Sequence, residues 1–266
     1  MFYTWVLRRQ YFLSENRKKF IIFRRMDQDN QLIAQFLDKG LHWGVRRSFI
    51  HPKMKPFVFT YKGDLAVINL QKSADLWDKT FKSLSDLISQ GKSILFVATQ
   101  PAAEAIVKKY GQEFGFPYIT TRWLGGTITN FETFKKRLEH LKGLDAKVAS
   151  SDIEKYTKKE KGLMQKEADE IRKKFDGLVK MTTFPDAIFV FCGKKHSTAL
   201  KEAQRKNMKV FGIFGLEDNP EEATEFVPLN DNVRIGIEFV METVAELYRK
   251  LQSKEVDSGK ALVAES

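Results

Sequence analysis

The stretch Arg122-Trp123-Leu124-Gly125-Gly126-Thr127-Ile128-Thr129-Asn130-Phe131 puts a guanidinium and an indole beside a double glycine and two hydroxyls. Two chemistries fit these residue types. Glycine amides and the Thr127 hydroxyl can cradle a phosphate, and the same glycines can simply make a tight turn that needs their backbone freedom. Arg122 can fork onto phosphate oxygens, while Trp123 can stack, wedge or fill a core position. Lys135, Lys136 and Arg137 follow closely. No carboxylate pair or base stands nearby in sequence to activate a nucleophile, so the stretch points to binding rather than catalysis.

A second basic segment strengthens that direction. Residues 40–63 carry Arg46, Arg47, Lys53, Lys55 and Lys62 and no acid, interleaved with Trp43, Phe49, Phe57, Phe59 and Tyr61. Such a mixture suits RNA recognised by shape and backbone. Several of the aromatics, Phe57 and Phe59 especially, are expected in the core of a strand, so the bases carry the inference.

Other chemistries find little support. A dinucleotide fingerprint needs glycines directly after a strand. The apolar run 94–98 is followed by Thr99-Gln100-Pro101-Ala102-Ala103, and the run 187–191 by Cys192-Gly193-Lys194-Lys195-His196. No GxxxxGK[ST] loop occurs. Cys192 is the single cysteine, which excludes an intrachain disulfide and a multi-cysteine zinc site; after a buried strand it reads as a small packed residue. The histidines, at 42, 51, 140 and 196, have no metal-ligand spacing, so neither a metal nor a cofactor is expected. No apolar run reaches the 18 residues a membrane helix requires.

The elements that must position these residues follow from periodicity. Apolar spacing predicts a helix over 30–39 closed by Gly40, a hairpin of 57–61 and 65–70 around Lys62-Gly63-Asp64, and a helix over 74–90 capped by Ser73. Strands are expected at 93–98, 117–120, 187–191 and 209–214, with helices at about 101–113, 196–207 and 232–251. Alternating β and α segments imply a three-layer α/β fold around a parallel sheet. Between residues 131 and 180, Phe131, Phe134, Leu138 and Leu141 and then Met164, Ala168, Ile171, Phe175 and Leu178 recur at 3-4 spacing, with a polar stretch at 142–152 between them. That pattern predicts two antiparallel helices in a coiled-coil hairpin. The implied organisation is an α/β domain over 26–130 and 181–251, a helical hairpin over 131–180, a loop over 215–230 and a polar, disordered tail over 252–266.

The chain has 266 residues, 42% of them hydrophobic, enough for a substantial core. Its net charge of +11 favours a polyanionic partner. Residues 1–26 hold seven Lys or Arg against one Glu, whereas 181–266 hold 11 bases and 14 acids. The basic extension at 1–25 is compatible with a transit peptide and an organelle matrix, with an arm that folds on RNA, or with a start of the native product at Met26.

Taken in order, these blocks resemble the bacterial-type small ribosomal subunit protein two family. Arg122–Phe131 is similar to its signature segment; 40–44, 51–59, 68–73, 94–106 and 184–191 resemble further family segments, and the likeness covers about 30–250. The resemblance implies a flavodoxin-like sheet with a projecting hairpin and a non-enzymatic, cytoplasmic, ribosome-bound role in translation. It implies small-subunit ribosomal RNA and neighbouring small-subunit proteins as partners, the messenger-binding protein one among them. On this reading the RNA-binding residues are Arg46, Arg47, Lys53, Lys55, Lys62, Arg122, Trp123, Lys135, Lys136 and Arg137. The stretch 215–232 departs from the family pattern, being richer in acid. A nucleotide-dependent enzyme on the same fold is the competing reading.

Overall fold

The computed structural model describes residues 30–149, 157–179, 181 and 183–264. The basic extension at 1–25 lies outside them. Helix α1 (30–38) ends at Gly40, whose φ of +69° closes it as expected. Strands β1 (Trp43–Arg46), β2 (Val58–Lys62) and β3 (Leu65–Ile68) form a small antiparallel sheet in the order β1-β3-β2. The β2–β3 hairpin turns at Gly63 as its sequence predicts. Strand β1 has no sequence signal of its own. It exists because Gly44 lets the chain approach the body: a Cβ there would stand 2.5 Å from Leu216 Cδ1 and 3.1 Å from the Ala66 carbonyl oxygen. The two prolines of 51–56 sit in a 3-10 turn, Pro52–Phe57, that buries Met54.

Helix α2 (Leu70–Ser89) begins earlier than predicted. Its cap is Asn69, whose side chain accepts from the Gln71 and Lys72 amides. Ser73 instead lies buried in the first turn and donates to the Pro228 carbonyl at 2.6 Å. The main sheet comprises β4 (Ile94–Val97), β5 (Tyr118–Ile119), β6 (Ala187–Phe191), β7 (Lys209–Phe214) and β8 (Glu225–Pro228), all parallel, in the order β5-β4-β6-β7-β8. Counted along the chain this is 2-1-3-4-5, the doubly wound order of the flavodoxin type. β8 falls inside the expected 215–230 loop. Glu225 and the terminal Pro228 hide it in the sequence, and its place at the sheet edge is what tolerates a proline.

Helices α3 (Pro101–Phe114), α6 (Ser197–Arg205) and α7 (Arg234–Ala264) cover the sheet. α7 continues well past residue 251, through a stretch without proline. Alternation along the buried strands sends side chains to two cores. Ile94, Phe96, Phe189, Phe191 and Phe211 pack with α1, α2, α3 and α7. Leu95, Val97, Ile188, Val190 and Val210 pack on the other side with α6, the small sheet and the loop before residue 131.

Helices α4 (Phe131–Ala149) and α5 (Lys158–Phe175) pack on one another. Phe134 meets Phe175 edge-on at 5.0 Å, His140 bonds Glu167 at 3.0 Å, and Leu141 and Ala168 are buried together. Their lower ends, Phe134, Leu138 and Phe175, belong to the second core. α4 runs through much of the stretch expected to be a polar turn; residues 150–156 are outside the described part.

Candidate RNA-binding surface

The glycine stretch opens α4, and its amides are already occupied. Glu202, on α6 and only 5% exposed, pushes its carboxylate into the turn. It accepts from Gly126 N at 2.9 Å, Trp123 Nε1 at 3.0 Å, Ile128 N and Thr129 N at 3.1 Å each, and Thr129 Oγ1 at 3.2 Å. Burial works against this charge, but the Trp123 indole and the three amides together hold the carboxyl below its usual range. The donors a phosphate would need are thus spent on an internal anion, itself seated at a helix N-terminus. Of the two glycines, Gly126 has φ +90°, a conformation side chains rarely adopt, while Gly125 faces open space. The turn presents Arg122 exposed to solvent and leaves Trp123 half-buried against the second core. Lys136 and Arg137 are exposed and Lys135 half-buried on the first turns of α4. Arg137 lines a shallow cleft with Leu124, Gly125 and Thr133.

The 40–63 segment lies on the same side of the parallel sheet, since Met54, Ile68, Trp123, Leu124 and Phe134 all pack in or against the second core. Arg46, Arg47, Lys53, Lys55 and Lys62 are exposed. The Arg47 guanidinium sits over Tyr61 at 5.0 Å, and the Lys62 ammonium over Trp43 at 5.3 Å. Burial and the Lys62 charge push His42 below its usual range. Lys53 pairs with Glu221 from the acid-rich 215–232 loop, both ends being largely exposed. The fold therefore brings the two basic segments, far apart in sequence, onto one layer. Phe57 is half-buried against Phe226 as expected. Phe59 is not strand core: it is 71% exposed. The register of β2 against β3 shifts between Val58 and Thr60, next to Phe59, and the strand is exposed at each position from 59 to 62.

The crevice where doubly wound sheets take ligands lies beyond the C-terminal ends of β4 and β6. Here His196 fills it. Its Nδ1 stands 2.9 Å from the Cys192 carbonyl oxygen, and its Nε2 accepts from the Thr99 amide at 3.2 Å. Burial lowers its pKa, so the ring is a neutral, fixed plug.

Next to it the structure collects Cys192, Asp218 and Asp231, all buried, with one ligand atom from each within 4.8 Å of the others. Neither cysteine nor histidine spacing signals this group, because it is assembled from the ends of β6, β7 and β8. Burial first, then Asp231 and Asp218, push the Cys192 thiol far above its usual range. Burial raises Asp218 to about 6, and burial with the neighbouring Asp218 charge raises Asp231 to about 7. Deprotonated, one thiolate and two carboxylates would suit a borderline-soft divalent cation; protonated, they share the buried space without one. A thiol held this strongly neutral is no nucleophile.

A doubly wound α/β body with a plugged ligand crevice, a phosphate-type loop closed on its own glutamate and a cationic layer is a binding scaffold rather than a catalyst. Residues 36–250 match the family Ribosomal protein S2. The chain is 35% identical to the small ribosomal subunit protein uS2 of Clavibacter michiganensis subsp. michiganensis over 214 residues, covering 80% of this chain and 68% of that protein. It is likewise 35% identical to the protein of that name from Clavibacter sepedonicus, covering 80% of this chain and 67% of that one. The chain belongs to the ribosomal protein S2 family, a non-enzymatic family of structural components of the ribosome. Among the described residues no helix is long and apolar enough to cross a membrane.

Proposed function

We propose that this chain is a structural constituent of the small ribosomal subunit that grips ribosomal RNA through its cationic layer. The observation that carries the assignment is the family match over 36–250. Exposed bases on one side of an inert body support the mode of binding. Arg46, Arg47, Lys55 and Lys62 meet phosphates from the small sheet; Arg122, Lys136 and Arg137 do so from the turn and the start of α4, with Lys135 and the half-buried face of Trp123 beside them. Lys53 joins them once it leaves Glu221. Helices α4 and α5 form an antiparallel coiled-coil arm on the α/β body, a reading supported by the Phe134–Phe175, His140–Glu167 and Leu141–Ala168 pairings. Neighbouring small-subunit proteins, the messenger-binding protein one among them, complete the set of partners, and the ribosome-bound pool in the cytoplasm is its place of action.

Reversing the charges of Arg46, Arg47, Lys53 and Lys55 to Glu should deplete the protein from small subunits in a sucrose gradient while its melting temperature stays within a few degrees. Full incorporation of that variant would remove the 46–55 segment from the contact surface.

A further inference from the structure

We propose that β2 is a stacking platform for unpaired RNA bases, built from the outward ring of Phe59 and from Tyr61 with the Arg47 guanidinium over it. The inference rests on the RNA-binding reading above and specifies what part of the RNA is held. Phe59 is the most exposed of the large apolar side chains described, and Phe49 and Tyr61 from the same segment are 57% and 41% exposed. Scattered surface apolar residues need no explanation, but this one stands at a register shift on an edge strand that, among the described residues, pairs with β3 alone. Phe59 and Tyr61 are two positions apart, roughly 7 Å of strand, room for two separate bases.

Charge decides the occupant. No acid lies between residues 40 and 63; Asp64 follows at the hairpin turn, and Glu221, brought in from a distant loop, is engaged by Lys53. The Arg47 guanidinium carbon stands over Tyr61, 5.0 Å from the ring centre, so a base can stack on this cation-covered ring while an outward N–H of Arg47 reaches a phosphate of the same strand. An apolar protein partner would want a continuous patch without cations, whereas single-stranded nucleic acid wants rings framed by positive charge. A duplex hides its base faces, so the platform selects unpaired or looped RNA.

The test uses the full chain and fluorescence anisotropy with a labelled single-stranded RNA dodecamer and a duplex of equal length, at several KCl concentrations. Phe59→Ala and Tyr61→Ala should each weaken single-strand binding about tenfold, leave duplex binding within about twofold, and leave the salt slope unchanged. Arg47→Gln should instead reduce the salt slope by roughly 0.7. Because Phe59 is exposed, its variant should melt with the parent, which controls for folding. Unchanged single-strand affinity in both aromatic variants, with the parent still binding, overturns the platform and leaves the proposed function standing. A parent that binds neither RNA overturns the RNA-binding reading and the platform with it. A Phe59→Ala protein that keeps its RNA affinity but drops out of small subunits assigns the ring to a protein neighbour and also overturns the platform.

Discussion

Glu202 shows how one side chain decides between two readings of the same loop. From sequence, Gly125-Gly126-Thr127 suits a phosphate cradle as well as a turn, because both require amides and glycine freedom. The discriminating residue lies more than 70 positions away on α6, and its carboxylate takes the place an external anion would occupy. The same long-range logic governs the ends of β6, β7 and β8, where Asp231 is held against Cys192 and Asp218. Its folded pKa of about 7 stands well above the ordinary value of about 3.9. A raised carboxyl contributes stability that is complete below the unfolded pKa and is lost as pH rises through the folded one. Asp218, at about 6, acts with the same sign. His196 and Glu202, both lowered, act oppositely: their contributions are present above the unfolded pKa and are lost as pH falls through the lowered folded one. The Asp231→Asn variant isolates one of these effects, since an amide fills the same space without titrating. Between pH 5 and 8, in the presence of a chelator, the parent should lose about 2–3 kcal/mol of stability relative to Asp231→Asn. Urea titrations at each pH measure the difference, and parallel profiles would show that Asp231 is ionised throughout.

At the scale of elements, Leu141 and Ala168 hold α4 against α5 in a small apolar cluster that, among the described residues, is separate from the two main cores. Leu141→Ala should cost about 2–4 kcal/mol where the pair unfolds on its own. Hydrogen exchange should then rise along α4 and α5 while β4, β6 and β7 keep their protection; uniform loss across the sheet would mean that the helices and the body unfold as one unit. These helices were legible because 3-4 spacing of apolar residues is strong over several turns. So were β4, β6 and β7, whose continuous apolar runs can only be buried. The elements that escaped reading are those whose stability comes from elsewhere. β1 depends on Gly44 fitting beneath Leu216, and β8 pairs along β7 despite Glu225 and its proline. Ser73 read as a helix cap because its type suits one, yet Asn69 four residues earlier also suits one and wins by position. Phe59 read as core because strand aromatics usually are. Its exposure follows from the place of β2 at the edge of the small sheet, where residues 59–62 are all exposed, and that place depends on pairing with β3. Charge pattern, glycine pattern and the family resemblance point to the basic residues of the surface, but their meeting on one layer needs the doubly wound topology that returns α6 and the turn before α4 to the side where the small sheet packs.

For the molecule as a whole, the central claim is that one layer is adapted to a folded polyanion and the opposite layer is not. The side built on the second core carries Arg46, Arg47, Lys55, Lys62, Arg122, Lys136 and Arg137 exposed. The side built from α2, α3 and α7 mixes signs, with Arg249 paired to both Glu113 and Glu242. The usual ligand crevice is stoppered by His196, which bridges the Thr99 amide and the Cys192 carbonyl oxygen. Ultraviolet cross-linking of the protein within intact small subunits, followed by identification of the peptides joined to ribosomal RNA, tests this most directly. The account predicts cross-linked peptides from 46–62 and 122–137. Cross-links confined to α2, α3 and α7, with none from those two segments, would contradict it.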